Sequence, residues 1–585
     1  MTMRSVLSQL SETVGAAFAA CGYDAALGAV HASDRPDLCQ YQCNGAFAAA
    51  KQYRKAPFMI ADEVTKILAE NPLFSKAEFV RPGFINLSLS DDAMFTRVNE
   101  LSADPHLGVP QVDHDETIVL DYGGPNVAKP LHIGHLRPAI IGEALKRLLR
   151  ACGYHVIGDV HMGDWGLPIG LVTAELEVRM PGFSCYNGTY KDGDPLPVFD
   201  ADLLNEVYPC ASAKSKVDKA FAERAHNYTV SLQQHEPGLI ALWKEILRIS
   251  VADLKENYEK LGVTFDLWYG ESNSSEYVDE TMKYLETADL HLDNGAMIID
   301  IATEADKSPV PPIIIVKSDG GITYATTDIA TILQRVKEFN PSKIWYVVDK
   351  RQGLHFEQVF RTCRKAGIAG EQVELAHMAN GTMNGSDGKP FKTRDGGVMR
   401  LSDLLDTAAA AAAEKMAGSA YVEGDHSELA RKVGIAAIKF GDLINHRSKD
   451  YIFDMDKFLS FEGKTGTYVL YTITRINSIL KKAGVSYDAP ASFTGVYSDD
   501  ERDIMRMILA TPEVFTAAVA EGAPNYLCEN AYQLAVAFSG FYHNHRIMDE
   551  ADEVKKQNWL SLCLLVRRLI LMQLDILGIE TVENM

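Results

Sequence analysis

The chain has 585 residues, 47% of them hydrophobic, with nine cysteines and a formal net charge of −22. That is enough for several cores, and length alone predicts about three or four domains. The acidic balance argues against a broadly basic nucleic-acid binder but leaves room for a local basic patch, and no apolar run of about eighteen residues is present to span a membrane.

Residues 1–112 read as a separate α+β unit. "SVLSQLSETVGAAFAA" and "FMIADEVTKILAEN" carry helical periodicity, and "AEFVRPGFINLSLS" alternates apolar and polar residues as a strand does. The turn-rich "SADPHLGVPQVDHDE" closes the unit. The N-terminus is amphipathic and lacks the basic start and apolar run of a signal peptide. The odd, scattered cysteines predict a reducing cytoplasm, and Cys39 and Cys43 have no second pair at zinc-ribbon spacing.

"TIVLDYGGPN" is a short apolar strand ending in a glycine turn. It runs through "VAKPLHIGH" into "LRPAIIGEALKRLLRACGYHVIGDVHMGDWG", giving strand, turn, helix, strand. This is a βαβ unit of a parallel sheet, so residues 113–405 are expected to be α/β. Residues 175–260 are mostly helical and predict an insertion. Strands resume with "AMIIDI", "PPIIIVKSDGGITYATTD" and "KIWYVVD". The turn-rich "NGTMNGSDGKPFKTRDGG" follows, then the alanine-rich helix "LSDLLDTAAAAAAEKMAG". Residues 406–585 form the third unit, helical to the end and expected to be an all-α bundle.

His132 and His135 stand three apart after the glycine turn, with Lys129 before them. As a metal pair they would need a helix at His132, which the flanking Pro130 and Gly134 oppose, and no carboxylate has zinc-helix spacing. As phosphate ligands they fit better. The turn and helix start offer unpaired N–H groups, and ligands of such sheets bind beyond the carboxyl ends of the strands. Packing is the third possibility. Tyr324 and Asp328 stand four apart across a helix start, where Asp328 could equally be a cap. Asp164 and Trp165 in "GDWG" carry no assignable role.

The HIGH stretch at 132–135, "DYGGPNVAKPLHIGHLRPAIIGEALKRLL", "GDWG" and "FEGKTGTYVLYTITRINSIL" resemble the class I arginyl-tRNA synthetases. The resemblance runs from about residue 80 to the C-terminus. It implies a Rossmann-type, doubly wound catalytic domain, an N-terminal additional tRNA-binding domain and a helical anticodon-binding domain. It implies a cytoplasmic, monomeric arginine–tRNA ligase with tRNA(Arg), L-arginine and ATP as partners, Mg²⁺ on the ATP phosphates and no metal held by the protein. Lys129, His132, Gly134 and His135 would take ATP. "DGKPFKTRDGG" departs from the family's second signature, but Lys389 and Lys392 would serve as its phosphate lysines. Asp121, Asn126, Tyr324, Asp328 and Gln352 would take arginine, and Tyr468, Arg475, Tyr542 and Arg546 would take tRNA. Family habit implies that tRNA must bind before arginine is activated. The competing readings are an inactive tRNA-binding relative and a metal-dependent hydrolase built on the histidines.

Overall fold

A computed structural model describes residues 4–583 apart from residues 36, 114, 386, 390–398 and 417–425. The chain divides into two compact units. One comprises Met1–Gln111, Ser460–Asp575 and Thr581–Met585; the other comprises Val112–Leu459 and Ile576–Glu580.

The first unit begins with helix Val6–Ala20 and holds strands β1 (Val30–Ala32), β2 (Tyr41–Cys43), β3 (Phe74–Val80) and β4 (Phe84–Leu89). They form an antiparallel sheet in the order β1-β2-β4-β3. The stretch expected to be one strand is thus a hairpin. Arg81-Pro82-Gly83 breaks it, since proline cannot donate to a ladder. The alternation itself survives: Ile85, Leu87 and Leu89 are buried. In the same unit, helices Gly466–Ala483, Asp499–Leu509, Thr511–Glu521, Asn525–Asn544 and Glu553–Ile576 build the helical part. Their ends follow local chemistry. Thr465 Oγ1 accepts the Tyr468 N–H at 3.1 Å, and Gly484, at φ 67, closes that helix in the left-handed region. Glu501 is buried among these helices and accepts from Trp559 Nε1 at 2.7 Å.

The second unit holds β5 (Thr117–Tyr122), β6 (His155–Asp159), β7 (His291–Asp293), β8 (Ala296–Ile299), β9 (Ile313–Val316), β10 (Lys343–Val347), β11 (Glu374–His377), β12 (Met383–Asn384) and β13 (Tyr451–Ile452). Its main sheet is parallel, in the order β11-β10-β5-β6. Ile118, Val119 and Leu120 are all fully buried, as expected of a central parallel strand covered on both faces. The chain leaves β5 for β6 on one side and later returns to β10 on the other. That makes the carboxyl ends of β5 and β10 the topological switch point, where such sheets bind ligands.

Two stretches differ from the sequence reading. "AMIIDI" and "PPIIIV" do not join the parallel sheet; they form β8 and β9 of a separate antiparallel sheet with β7. Asn294 and Gly295 connect β7 to β8 with φ of 47° and 84°, the backbone a two-residue hairpin requires. Helices Leu401–Met416 and Ser427–Leu443 lie in the sheet-bearing unit, which runs on to Leu459 where the sequence division was drawn at 405. A buried ion pair, Arg137 to Asp442 at 2.9 Å, ties the second of them to the helix after β5. Helices Leu167–Arg179, Ala201–Ser215, Lys219–Gln233 and Pro237–Lys260 make the insertion, with Leu171, Ala174, Ala211, Phe221 and Ala225 at its core. Among the described residues, no helix is long and apolar enough to cross a membrane. No disulfide joins any two of the nine cysteines among the described residues.

Candidate active site

The HIGH stretch lies beyond the carboxyl end of β5. His132 and His135 bracket a single 3₁₀ turn, Ile133–His135, that leads into helix Leu136–Ala151. Each ring is held by backbone. The His132 N–H donates to His135 Nδ1 at 3.0 Å, and the Gly134 N–H donates to His132 Nδ1 at 3.0 Å. A ring nitrogen that accepts carries no proton, so both neutral rings are Nε2–H tautomers. Among the described residues nothing accepts from either Nε2. Both are held neutral: burial lowers the His132 pKa, helped by Lys129, and burial pushes His135 down to about 3. The ring centroids are 4.0 Å apart. The arrangement is two N–H donors, on rings tilted 39° to each other, whose other nitrogens already accept, which suits an anion with several oxygens.

Gly134 has a local reason to be glycine. A Cβ there would lie 2.8 Å from His132 Cε1, so the missing side chain makes room for the imidazole itself. Lys129 does not point freely: its ammonium sits 4.1 Å from the ring centre of Tyr208, on the insertion helix Ala201–Ser215. The irregular basic loop is anchored here. Ile133 N–H donates to Met399 O at 3.1 Å and Leu401 N–H to Leu131 O at 2.9 Å. Residues 399–401, just after that loop, therefore pair with the HIGH stretch. Lys389 is exposed at the loop's other end, where its carbonyl accepts from Gly385 in a tight turn. Lys392 lies outside the described residues.

A second group of side chains gathers at the N-termini of two helices flanking β10. Thr323 caps helix Tyr324–Phe339, its Oγ1 accepting from Thr326 N–H at 3.4 Å, so Asp328 is not the cap. Tyr324 is 68% exposed, and Asp328 presents its carboxylate one turn on. Asp328 Oδ2 meets His355 Nε2 at 2.5 Å; His355 lies in the first turn of helix Gly353–Lys365. Gln352, exposed, precedes that helix.

Glu271 completes the group, and sequence reasoning missed it. Burial raises its carboxyl to about 7, with further pushes from the carboxylates of Asp328 and Asp164. The Glu271 N–H donates to Met162 O at 3.0 Å, and the Met162 N–H donates to Tyr269 O at 2.8 Å. Asp164, 1% exposed, accepts from Ser272 N–H at 2.9 Å and from Ser272 Oγ at 2.6 Å. So the "GDWG" loop holds the 269–272 turn that carries Glu271. Trp165 packs edge-on against Trp243, 5.3 Å between ring centres, and Trp243 Nε1 donates to Asp164 O at 2.8 Å. Gly163 lies against Asn126: a Cβ would fall 2.5 Å from Asn126 Oδ1, and the two residues form a parallel bridge. Asn126, Tyr324, Asp328 and Glu271 thus line a region with one aromatic, one amide and two carboxylates, the chemistry of a guanidinium site.

Asp121 stands apart from this group. It is 6% exposed and bonds the Arg335 Nη2 at 2.7 Å, while Asp159 takes the same Nη2 at 2.6 Å. Burial raises the Asp121 carboxyl, opposed first by Arg335. A guanidinium cannot surrender its proton, so Arg335 stays charged between the two carboxyl groups. Asp121, Asp159 and His161 are close enough to surround a cation, and Arg335 supplies it.

The four expected tRNA residues lie in the first unit. Arg475 is stacked between Tyr471, at 4.8 Å, and Tyr542, at 5.4 Å, and both tyrosines are exposed. Tyr468 is half-buried against Tyr532 and donates to Ser539 Oγ at 3.1 Å. Arg546 is exposed beyond the end of helix Asn525–Asn544. Phe538 is fully buried.

Residues 97–455 match the family model described as tRNA synthetases class I (R), catalytic domain. An arginine–tRNA ligase of Alkaliphilus oremlandii is 45% identical, with all of both chains covered. The chain belongs to the arginyl-tRNA synthetase family. Residues 6–89 match the arginyl tRNA synthetase N terminal domain, and residues 469–585 the DALR anticodon binding domain. An arginine–tRNA ligase of Agathobacter rectalis is 43% identical over all of both chains. In fold, the chain is similar to the arginyl-tRNA synthetase of Plasmodium falciparum, with a TM-score of 0.82 at 22% identity and complete coverage of both. It is also similar to that of Thermus thermophilus, at 0.79 and 23%, covering 99% of this chain and 100% of the other.

Proposed function

We infer that this enzyme joins arginine to tRNA through the site at the switch point. The observation that carries the reading is the pairing of two backbone-fixed, neutral imidazole donors with an acidic pocket on the same sheet edge. The arginine carboxylate attacks the α-phosphorus of ATP, forming the acyl–phosphate bond and expelling pyrophosphate. The His132 and His135 Nε2–H groups follow the charge as it shifts onto phosphate oxygens, and Lys129 leaves Tyr208 to join them. Asp328 and Glu271 take the guanidinium, with Tyr324 beside them. A ribose hydroxyl at the 3′ end of tRNA(Arg) then attacks the adenylate carbonyl, and AMP departs.

Mg²⁺ accompanies the ATP phosphates in this reading; the one cluster of carboxylates and imidazole among the described residues is filled by Arg335 and does not suit a metal. Lys389, which is exposed, and Lys392 supply further charge in this reading. The stacked Tyr471–Arg475–Tyr542 surface is suited to unpaired bases, which read stacking and charge. The monomeric state, cytoplasmic location, domain roles and need for tRNA before activation belong to the same proposal. Arginine-dependent ATP–pyrophosphate exchange, measured with and without tRNA, tests it. Exchange only with tRNA is expected. No exchange in any condition would leave the chain a tRNA-binding relative.

A further inference from the structure

Asp328 is the group best placed to select arginine, and one side chain fixes it. His355 Nε2 lies 2.5 Å from Asp328 Oδ2, and both side chains are less than a third exposed. They come from different helices, so the contact is made by the fold and not by local sequence. A carboxylate on its own turns about a broad, two-fold torsion. Bidentate capture of a guanidinium needs that plane fixed. An N–H on Oδ2 fixes it and still leaves Oδ1 and a second lone pair of Oδ2 for a ligand.

The nature of the partner matters. A lysine or arginine here would compete with the substrate for charge, as Arg335 does at Asp121. An imidazole Nε2–H donates to one carboxylate oxygen and leaves the other to accept from a ligand. Glu271, Tyr346 and Cys363 also feel the Asp328 charge. We propose that His355 is a positioning residue for arginine selection, its Nε2–H holding the Asp328 carboxylate in the orientation that receives the guanidinium. This rests on the arginine-ligase reading above.

The test is ATP–pyrophosphate exchange by the full chain with tRNA present, comparing wild type, His355→Leu and His355→Gln. Leucine removes the donor at similar volume; glutamine carries an amide N–H to about the same place. Loss of a hydrogen bond to a charged group should raise the arginine KM about tenfold or more in His355→Leu, with kcat and the ATP KM within about twofold. His355→Gln should recover most of that loss. A leucine variant with unchanged arginine KM overturns the proposal. So does an equal rise in both variants, which would mean packing, or a fall, which would mean that His355 competes as a cation. A double variant, His355→Leu with Asp328→Asn, should be no worse than Asp328→Asn alone; additive losses also overturn it. Should the leucine variant not fold, His355→Asn, whose amide is too short to reach, takes its place in the same comparison. A wild type with no arginine-dependent exchange would instead defeat the parent reading.

Discussion

The two halves of the candidate site are built in opposite ways. The histidine half is one continuous stretch, Lys129 to His135, whose rings are fixed by backbone N–H groups two and three residues away. The acidic half is assembled from Asn126, the 162–164 loop, the 269–272 turn and the starts of two helices at Tyr324 and Gly353. The first half spends little tertiary structure and tolerates little local change. The second depends on long-range contacts that set the distance between two carboxylates. A phosphate chain is common to many enzymes and can be met by a portable motif. A particular amino acid has to be met by a shaped pocket.

Breaking the acidic half should give the largest functional effect. Asp328→Ala removes one partner of a charged pair, so the arginine KM should rise by about 100-fold, near 3 kcal/mol, with the ATP KM nearly unchanged. Steady-state exchange kinetics against each substrate would show this; an unchanged arginine KM would remove Asp328 from the pocket. The mirror experiment is His135→Ala. It should lower kcat by about 100-fold while leaving the arginine KM in place, because its donor acts on developing charge. If the two substitutions moved the same constant, the division into halves would fail.

Arg335 is buried between Asp121 and Asp159, apart from both halves. Arg335→Met strands Asp121 and Asp159 in the interior and should cost about 3–5 kcal/mol, read as a lower midpoint in urea. Restoring neutrality with Asp121→Asn and Asp159→Asn should recover much of that loss. Failure to recover would mean that Arg335 stabilises by packing on Tyr346, whose ring centre lies 5.2 Å away.

A smaller effect should appear with pH. The Glu271 carboxyl is raised from its ordinary value to about 7, so the free protein holds a proton there that the unfolded chain has lost. The sign follows directly. Glu271 favours the folded state below the ordinary carboxyl range and loses that contribution as pH rises through about 7. Guanidinium binding favours the ionised form. The arginine KM should therefore fall as pH climbs through about 7, and Glu271→Gln should flatten the profile. The least severe change is Gly134→Ala, which puts a Cβ 2.8 Å from His132 Cε1 and forces the ring to shift. A modest loss in kcat with both KM values intact is expected. An unaltered kcat would show that the His132 ring can give way.

Much of this was legible in the chain itself. The βαβ pattern, the glycine turn and the two histidines identify the sheet edge and its anion chemistry, because strand, turn and helix signals are local. The hairpin around Pro82 and the Asn294-Gly295 turn show where local reading slips. The first splits an expected strand into two neighbours of one sheet, and the second pairs β8 with β7 in a separate antiparallel sheet. Asp121 is a different case. The family resemblance puts it near the arginine, while the fold sets its buried carboxyl against Arg335, far along the chain.

Glu271 and His355 had no signal of their own. A lone acid after Tyr-Gly and a lone histidine at a helix start are ordinary until the fold sets them beside Asp328. The sequence by itself determined the switch-point architecture and the fixed imidazole pair, since both arise from contacts within a few residues. Only the tertiary structure decided which carboxylates face the pocket and which are neutralised inside. That choice depends on desolvation and on the nearest opposite charge, and both are properties of neighbours that the chain brings together from 27 residues apart, for Asp328 and His355, to 214, for Asp121 and Arg335.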